Sequence, residues 1–388
     1  MVPLPLRPLP KSIEVSTGTA LPVARCRGMN APAVIAKSRS WRPKQVLITR
    51  SARDWAHGLA IAERAAALGI AVEELPSDRL ALGLPEDDRG AYALAKQTLA
   101  VVVAPPSKRR LQPIAPSADW RVDLAQGCPA HCSYCYLAGS LAGPPITRTY
   151  ANLPEILAEL PKHLGQGSVT SRSRRRAHEG TTYEASCYTD PLALDHLTGS
   201  LSALVAWFGE WEADAQLRFT SKFAAVDPLL AIEHRGRTRM RASVNPKGYA
   251  RFEGGTDPVA ARLAALAQMA RAGYPVGLTI APIIAAPGWE IAYGDLIAQA
   301  AAQLAGIAGL DLTIELITHR YSPGSKAVLD SWYPGSSLEM GDANRAEKRT
   351  KFGSVKYVYD ADMMRTLRGF FESGIAQALP EARILYWT

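Results

Sequence analysis

Cysteine is scarce in this chain: five in 388 residues, at positions 26, 128, 132, 135 and 187. So few, and an odd number, exclude the disulfide framework that small secreted domains build. Three of the five fall within eight residues, which reads as a reduced, cytoplasmic compartment and a metal site. Long apolar runs are absent too. No stretch reaches the roughly 18 uninterrupted apolar residues of a membrane span. The nearest, residues 296–310, is broken by Gln299 and Gln303. Prolines at 3, 5, 8 and 10 and the lack of an apolar core argue against a secretory signal at the start. Acidic residues are missing from one place in particular. Residues 1–50 hold nine Lys and Arg against Glu14 alone, which is the whole formal charge of +8, so the rest of the chain is neutral in sum. A basic protein invites an anionic partner, but here the excess belongs to one end.

The composition is 47% hydrophobic and 21% charged, enough to build a core and too apolar for disorder. The length allows two or three domains, or one large α/β barrel with an appendage. Residues 1–43, rich in Pro, Ser and basic residues without periodicity, read as a flexible arm. A small α/β unit is expected over 44–115. It has strands at 45–49, 70–75 and 100–104, helices at 52–68 and 91–99, and no Gly-rich phosphate loop. From Trp120 strands alternate with helices. Strands are expected at 121–125, 182–187, 216–220, 239–245, 276–283 and 312–317. Helices are expected at 153–164, 195–208, 227–234, 257–272 and 289–304. Six such repeats over 116–322 predict a parallel sheet curved into a partial (βα)6 barrel, with chemistry at the C-terminal strand ends. Residues 165–180, with Arg172, Arg174, Arg175 and Arg176, read as a mobile basic insertion. The alternating Arg235, Arg237, Arg239 and Arg241 read as phosphate contacts or a solvated edge.

The strongest local signal is GCPAHCSYCY, which places Cys128, Cys132 and Cys135 in a C-x3-C-x2-C pattern after the first barrel strand. Thiolates are the ligands of iron–sulfur clusters. Three of them would satisfy three irons of a 4Fe–4S cube and leave the fourth open to a small molecule. Gly127 and Pro129 favour a wrapped loop over a helix. A zinc site, with His131 or Cys187 as fourth ligand, is the other reading of the same residues. Cys187, read alone, is either an inert buried thiol or a thiol at a strand end where barrel active sites lie. Cys26 lies in the arm and reads as a free surface thiol without a role.

The spacing and the barrel resemble radical S-adenosylmethionine (SAM) enzymes. The segment GCPAHCSYCYLAGSLAGPPITRTYANLPEIL is similar to the cluster region of the spore photoproduct lyase family. YEASCYTDPLALDHLTGSL, LRFTSKFAAVDPLL, RTRMRASVNPKGY, RAGYPVGLTIAPI, IELITHRYSPGSKAVL and KFGSVKYVYD follow in the family's order. The resemblance runs from about residue 44 to the end and implies a lyase that reverts 5-thyminyl-5,6-dihydrothymine in UV-damaged DNA to two thymines. It implies a 4Fe–4S cluster on Cys128, Cys132 and Cys135, bound SAM, and a 5′-deoxyadenosyl radical. It also implies a one-electron donor such as flavodoxin or ferredoxin. By the same resemblance Cys187 donates hydrogen to the product radical, and Tyr136 and Tyr134 return it. Tyr134, Thr189, Lys222, Ser243 and Asn245 stand at SAM-facing positions, with Thr189 where the family usually has Ser. The C-terminal region, 323–388, should carry a DNA-inserting β-hairpin plus a helix, with Arg349, Lys351, Phe352 and Lys356 at the DNA. Lys351-Phe352 replaces an Arg-Tyr pair common in the family. The ring's stacking surface is kept, while the hydroxyl and the guanidinium fork are lost. Two rivals stand beside this reading: a family enzyme acting on another lesion or substrate, since the hairpin departs and the arm is extra, and, from a different class, a non-catalytic, zinc-stabilised nucleic-acid-binding protein.

Overall fold

The computed structural model describes residues 40–388 except 81, 140–144, 342–344, 350–352 and 354. The arm, Lys351 and Phe352 therefore lie outside the described residues. Strand β1 (Gln45–Ile48) opens the chain, followed by α1 (Ala56–Ala67), β2 (Ala71–Glu74), α2 (Asp88–Lys96) and β3 (Thr98–Val102). Val46, Ile48, Leu99 and Val101 are buried together with Ile61 of α1, as the apolar runs predict. A short helix α3 (Pro106–Arg109) leads to the hairpin β4 (Gln112–Ile114) and β5 (Ala118–Val122). After β6 (Ala125–Gln126) and β7 (His131–Cys132) comes β8 (Thr147–Tyr150).

Pairing in the first sheet crosses residue 115. The first sheet has the order β2-β1-β3-β8-β6, so it takes two strands from beyond that residue. β3 is buried on both faces and leaves one edge open, and β8 fills it in parallel, Leu99 opposite Thr147. The small unit is thereby stitched to the segment that carries the three cysteines.

The barrel follows: α4 (Leu153–Leu157), β9 (Thr181–Ala185), α5 (Pro191–Thr198), α6 (Ser200–Glu210), β10 (Ala215–Ser221), α7 (Asp227–Leu230) and β11 (Thr238–Val244). Then come β12 (Glu253–Gly254), α8 (Val259–Arg271), β13 (Val276–Ile283), α9 (Trp289–Leu304) and β14 (Leu312–Thr318). The expected helix at 195–208 is two helices, because Gly199 adopts φ +63 between α5 and α6. The C-terminal region holds α10 (Pro323–Trp332), the hairpin β15 (Arg345–Arg349) and β16 (Val355–Tyr359), α11 (Ala361–Ala378) and β17 (Arg383–Trp387). The second sheet has the order β17-β14-β13-β11-β10-β9-β5-β4 and curls into an open half-barrel. Its six central strands are all parallel; five lie where expected, and β5 begins three residues before the expected 121–125. β17 adds a parallel strand beside β14 that the sequence reading missed.

Alternation splits the sheet into two faces. Met240, Ala242 and Val244 of β11 join the core that the helices cover. Arg239, Arg241 and Ser243 point the other way. Arg239 and Arg241 are 0% and 1% exposed, so neither a solvated edge nor phosphate contact describes them. Arg241 donates to Glu315 Oε1 and Oε2 at 2.7 and 2.6 Å and pairs with Glu184. Arg239 pairs with Asp311 at 2.5 Å, and Arg218 with Glu315 at 3.0 Å. The inner face thus carries a closed layer of paired charge. Gly277 makes room for it: a Cβ there would meet Arg241 Cγ at 2.9 Å.

The insertion at 165–180 is pinned. Asp119 accepts from the backbone of Val169 and Thr170, and Arg176 is buried on Glu179 and the carbonyls of Pro116 and Ser117. Arg172, Arg174 and Arg175 remain exposed. Among the described residues no helix is long and apolar enough to cross a membrane.

Candidate active site

The three-cysteine loop leaves the sheet at Gly127, whose φ is +82. A Cβ there would lie 2.3 Å from the Ile146 carbonyl oxygen, so only glycine fits. The loop is then held at three points. Cys132 pairs with Glu253 in the β7–β12 ladder. Ser133 N–H donates to the Phe252 carbonyl at 3.0 Å. Lys96 Nζ donates to the carbonyls of Cys128 and Ala130. Cys132 is buried, and Cys128 and Cys135 are half-buried. Burial pushes Cys128 up to about 12 and Cys132 higher still. Thiolates here therefore need a strong compensating cation. Among the described residues, no three His, Cys, Asp or Glu side chains gather around one ion. A cube does not ask for that, since each thiolate takes its own iron. His131 Nδ1 is engaged with the Tyr92 hydroxyl at 3.1 Å.

Cys187 follows β9 directly. Ser186 takes φ +55, which is rare without glycine, and turns the chain there. Its backbone N–H donates to the Val122 carbonyl at 2.7 Å, and its hydroxyl accepts from Leu124 N–H at 3.0 Å. The turn ends at Asp190, which caps α5 and accepts from Ser221 Oγ at 2.8 Å and Lys222 N–H at 2.7 Å. Burial first, then Glu184 and Asp123, push the Cys187 thiol well above its ordinary value. Tyr136 leaves 65% of its surface open, yet its hydroxyl donates to the Cys187 carbonyl. One side chain thus spans from the cysteine loop to the backbone of Cys187.

The residues expected to face SAM come together around a carboxylate that the sequence reading missed. Glu253 Oε1 accepts from the Tyr134 hydroxyl, from Lys222 Nζ at 3.0 Å and from Asn245 Nδ2 at 3.1 Å. Its Oε2 pairs with Arg262 at 2.7 Å. Burial would raise this carboxyl, but Lys222 and Arg262 pull it down to about 2. Lys222 Nζ also donates to Ser243 Oγ at 2.8 Å and the Ala281 carbonyl at 3.2 Å. Its three N–H bonds are in use, so an arriving ligand carboxylate must share or displace one. Asn245 spends its whole amide inside the protein, accepting from Tyr293 at 3.1 Å and donating to Glu253 and Ala281. Thr189 differs. Its Oγ1 is buried and has no hydrogen-bond partner among the described residues, which suits a hydroxyl that awaits a ligand.

The hairpin separates its basic residues by role. Arg345 is spent at the base, 3.8 Å over the Tyr359 ring and donating to the His319 carbonyl at 2.7 Å. Lys348 and Lys356 are exposed and face each other across the ladder. Like charges directly opposite are unfavourable, and an anion between them relieves the strain. Arg349, its side chain 75% exposed, forms an ion pair with Glu347 at 3.3 Å.

Known proteins share the sequence and the fold. The family model described as spore photoproduct lyase matches residues 41–388. A spore photoproduct lyase of Geobacillus sp. (strain Y412MC61) is 37% identical, the match covering 89% of this chain and 98% of that protein. The spore photoproduct lyase of Bacillus subtilis (strain 168) is 35% identical over the same shares. A solved spore photoproduct lyase complexed with dinucleoside spore photoproduct superposes with a TM-score of 0.83 at 35% identity, covering 90% of this chain and 100% of that one. A variant of that enzyme with bound AdoMet and the same dinucleoside gives the same score and coverage. Sequence, fold and the order of every segment agree over nearly the whole described length, and the chain belongs to the spore photoproduct lyase family.

Proposed function

We propose that this chain is a radical SAM lyase that reverts 5-thyminyl-5,6-dihydrothymine in UV-damaged DNA to two thymines. The observation that carries the reading is the Tyr136 hydroxyl on the Cys187 carbonyl, which links the cysteine loop to an isolated thiol at a strand end. The relatives named for this activity support it. So does the solved relative that holds AdoMet and the dinucleoside lesion.

Cys128, Cys132 and Cys135 would hold a 4Fe–4S cluster, and Thr189, Lys222 and Ser243 would meet SAM. When bound, the two cofactors supply abstraction of one hydrogen atom from C6 of the dihydrothymine half. The methylene bridge between the thymines then breaks and leaves an allylic radical on one thymine. Cys187 transfers its S–H hydrogen to that carbon and becomes a thiyl. Tyr136, with its phenol at the Cys187 backbone, returns a hydrogen atom to sulfur; the hydrogen taken from C6 would pass back from the cofactor to that phenol by way of Tyr134, next along the same loop, leaving SAM restored. Asn245 and Glu253 act by position, holding Lys222 and Tyr134. Arg349 and Lys356 would grip phosphates while Lys351 and Phe352 enter the lesion site. Extrusion of a stacked dinucleotide costs a few kcal/mol, which such contacts offset. The reaction draws on a one-electron donor such as flavodoxin or ferredoxin in the reducing cytoplasm.

The test is anaerobically reconstituted protein, reductant, SAM and a dinucleotide spore photoproduct. Brown protein with about four irons per chain that releases thymidylyl-thymidine is expected. Cofactor cleavage without repair would point to another lesion, and colourless protein holding one zinc would end the enzyme reading.

Two variants probe the inner network. Tyr136→Phe should keep cluster and SAM binding but lower kcat about tenfold, the equivalent of about 1.4 kcal/mol in the hydrogen-return step. SAM consumed per repair event should rise in parallel. Glu253→Gln removes the charge that anchors Lys222 and Tyr134, and charge-assisted bonds are worth about 1.5–3 kcal/mol. KM for SAM should rise tenfold or more with iron content unchanged.

A further inference from the structure

Lys96 is the buried charge that this chemistry leaves unexplained. It ends α2, in the small N-terminal sheet unit, and is 4% exposed. Both hydrogen bonds found for its Nζ go to backbone carbonyls of the cysteine loop, those of Cys128 and Ala130. Lys96, Cys128 and Cys135 line one small cavity with Tyr92, closed by Trp332 at the end of α10 and Tyr333 just after it. Tyr92, one helical turn before Lys96, has its ring 5.6 Å from Nζ. Among the described residues, no carboxylate lies within ion-pairing distance of Lys96.

A buried ammonium without an anion is costly, by several kcal/mol even after relaxation. Two carbonyl dipoles offset part of that cost. A full counter-charge is missing from the protein itself, while the same cavity wall presents two of the three cysteines. Three thiolates outweigh the positive charge of a 4Fe–4S core, and reduction adds one more negative charge.

We propose that Lys96 is the counter-charge of the cluster: a positioning residue that anchors the loop and makes the bound cluster easier to reduce. The inference rests on the cluster reading above. Net charge and hydrogen bonding around the sulfurs set cluster potentials. A fixed cation stabilises the more negative, reduced state. It also gives the N-terminal unit a purpose at the cluster, since that unit supplies a lysine hydrogen-bonded to the loop backbone.

The experiment is a potentiometric titration of reconstituted full-length protein, without substrate, followed by the electron paramagnetic resonance signal of the reduced cluster. Lys96→Met, Lys96→Arg and the unaltered chain are compared, with iron content and circular dichroism measured on each. At the midpoint of the unaltered protein, the reduced-to-oxidised ratio of Lys96→Met should be about tenfold lower, which is about 59 mV for one electron. Lys96→Arg should stay near the unaltered value. Failure of Lys96→Met to take up iron while Lys96→Arg takes it up fully supports the same assignment. Equal shifts in both variants, loss of iron in both, or no shift in either would overturn it. Absence of iron or signal in the unaltered protein would instead refute the cluster reading on which the inference stands.

Discussion

Cys187→Ala should still cleave SAM and fragment the lesion, yet almost abolish the recovery of intact thymine pairs. The expectation starts from geometry. Ser186, at φ +55, turns the chain at the end of β9, and Asp190 fixes the far side of that turn. The thiol is thereby presented where the Tyr136 phenol reaches its backbone. Only S–H, never the thiolate, donates a hydrogen atom. Burial first, then Glu184 and Asp123, hold Cys187 well above its ordinary value, so the thiol persists through neutral and mildly alkaline pH. Alanine removes the donor and little else. The allylic radical should then be captured by solutes, and mass spectrometry of the dinucleotide products should show adducts in place of thymidylyl-thymidine. Clean and repeated turnover by this variant would sink the hydrogen-donor role. In the unaltered protein the same raised thiol predicts a rate that does not fall from ionisation of Cys187 between pH 7 and pH 9.

The parts of this protein that were legible in its sequence are those written locally. C-x3-C-x2-C is a spacing, and βα alternation is a rhythm. Both survive without knowledge of contacts, and five of the six central strands lie where the pattern predicts. Family segments pointed to Cys187, Lys222 and Ser243 as expected site residues, and the fold places Lys222 Nζ 2.8 Å from Ser243 Oγ. Glu253 was not legible, because its meaning lies in Tyr134, 119 positions away, and in a two-residue ladder with the cysteine loop. Lys96 was hidden for the same reason, since nothing near α2 in sequence hints at Cys128. The arginines of β11 were misread by a sound rule. Alternating charge on a strand ordinarily marks the solvent face, but in a curled sheet the inner face is also closed. Their partners come from other strands: Glu184 from β9, Glu315 and Asp311 from β14 and its approach. The net charge of +8 had a similar lesson. It lies in the N-terminal fifty residues, so on the reading proposed above DNA binding by the body would fall to local groups such as Lys348 and Lys356.

Arg241→Met should be the most destabilising single change in the barrel, at about 3–5 kcal/mol, the usual range for breaking a buried ion pair from one side. Arg241 sits between Glu184 and Glu315, donating to Ser117 Oγ at 2.8 Å as well. Methionine fills most of the volume and supplies no donor. Glu315 keeps Arg218 at 3.0 Å and Thr279 at 3.1 Å, whereas Glu184 keeps only hydroxyl donors, Ser117 at 2.9 Å and Thr220 at 3.4 Å. Two buried carboxylates then share one cation. Already in the unaltered protein burial raises Glu184, and Arg241 is the main influence that opposes it. Without Arg241, Glu184 must bind its proton more tightly when folded than when unfolded. A folded-state pKa above the unfolded value costs stability at higher pH, and that cost is removed as pH falls through the folded pKa. The gap between variant and unaltered protein should therefore be widest near neutrality and narrow on acidification, read from denaturant midpoints at several pH values. Glu184→Gln in the same chain should restore a further 1 kcal/mol or so, within the usual range of coupling between contacting residues. It deletes the stranded charge and leaves Glu315 with Arg218. A variant as stable as the unaltered protein at neutral pH would mean that this layer of charge is dispensable to the half-barrel.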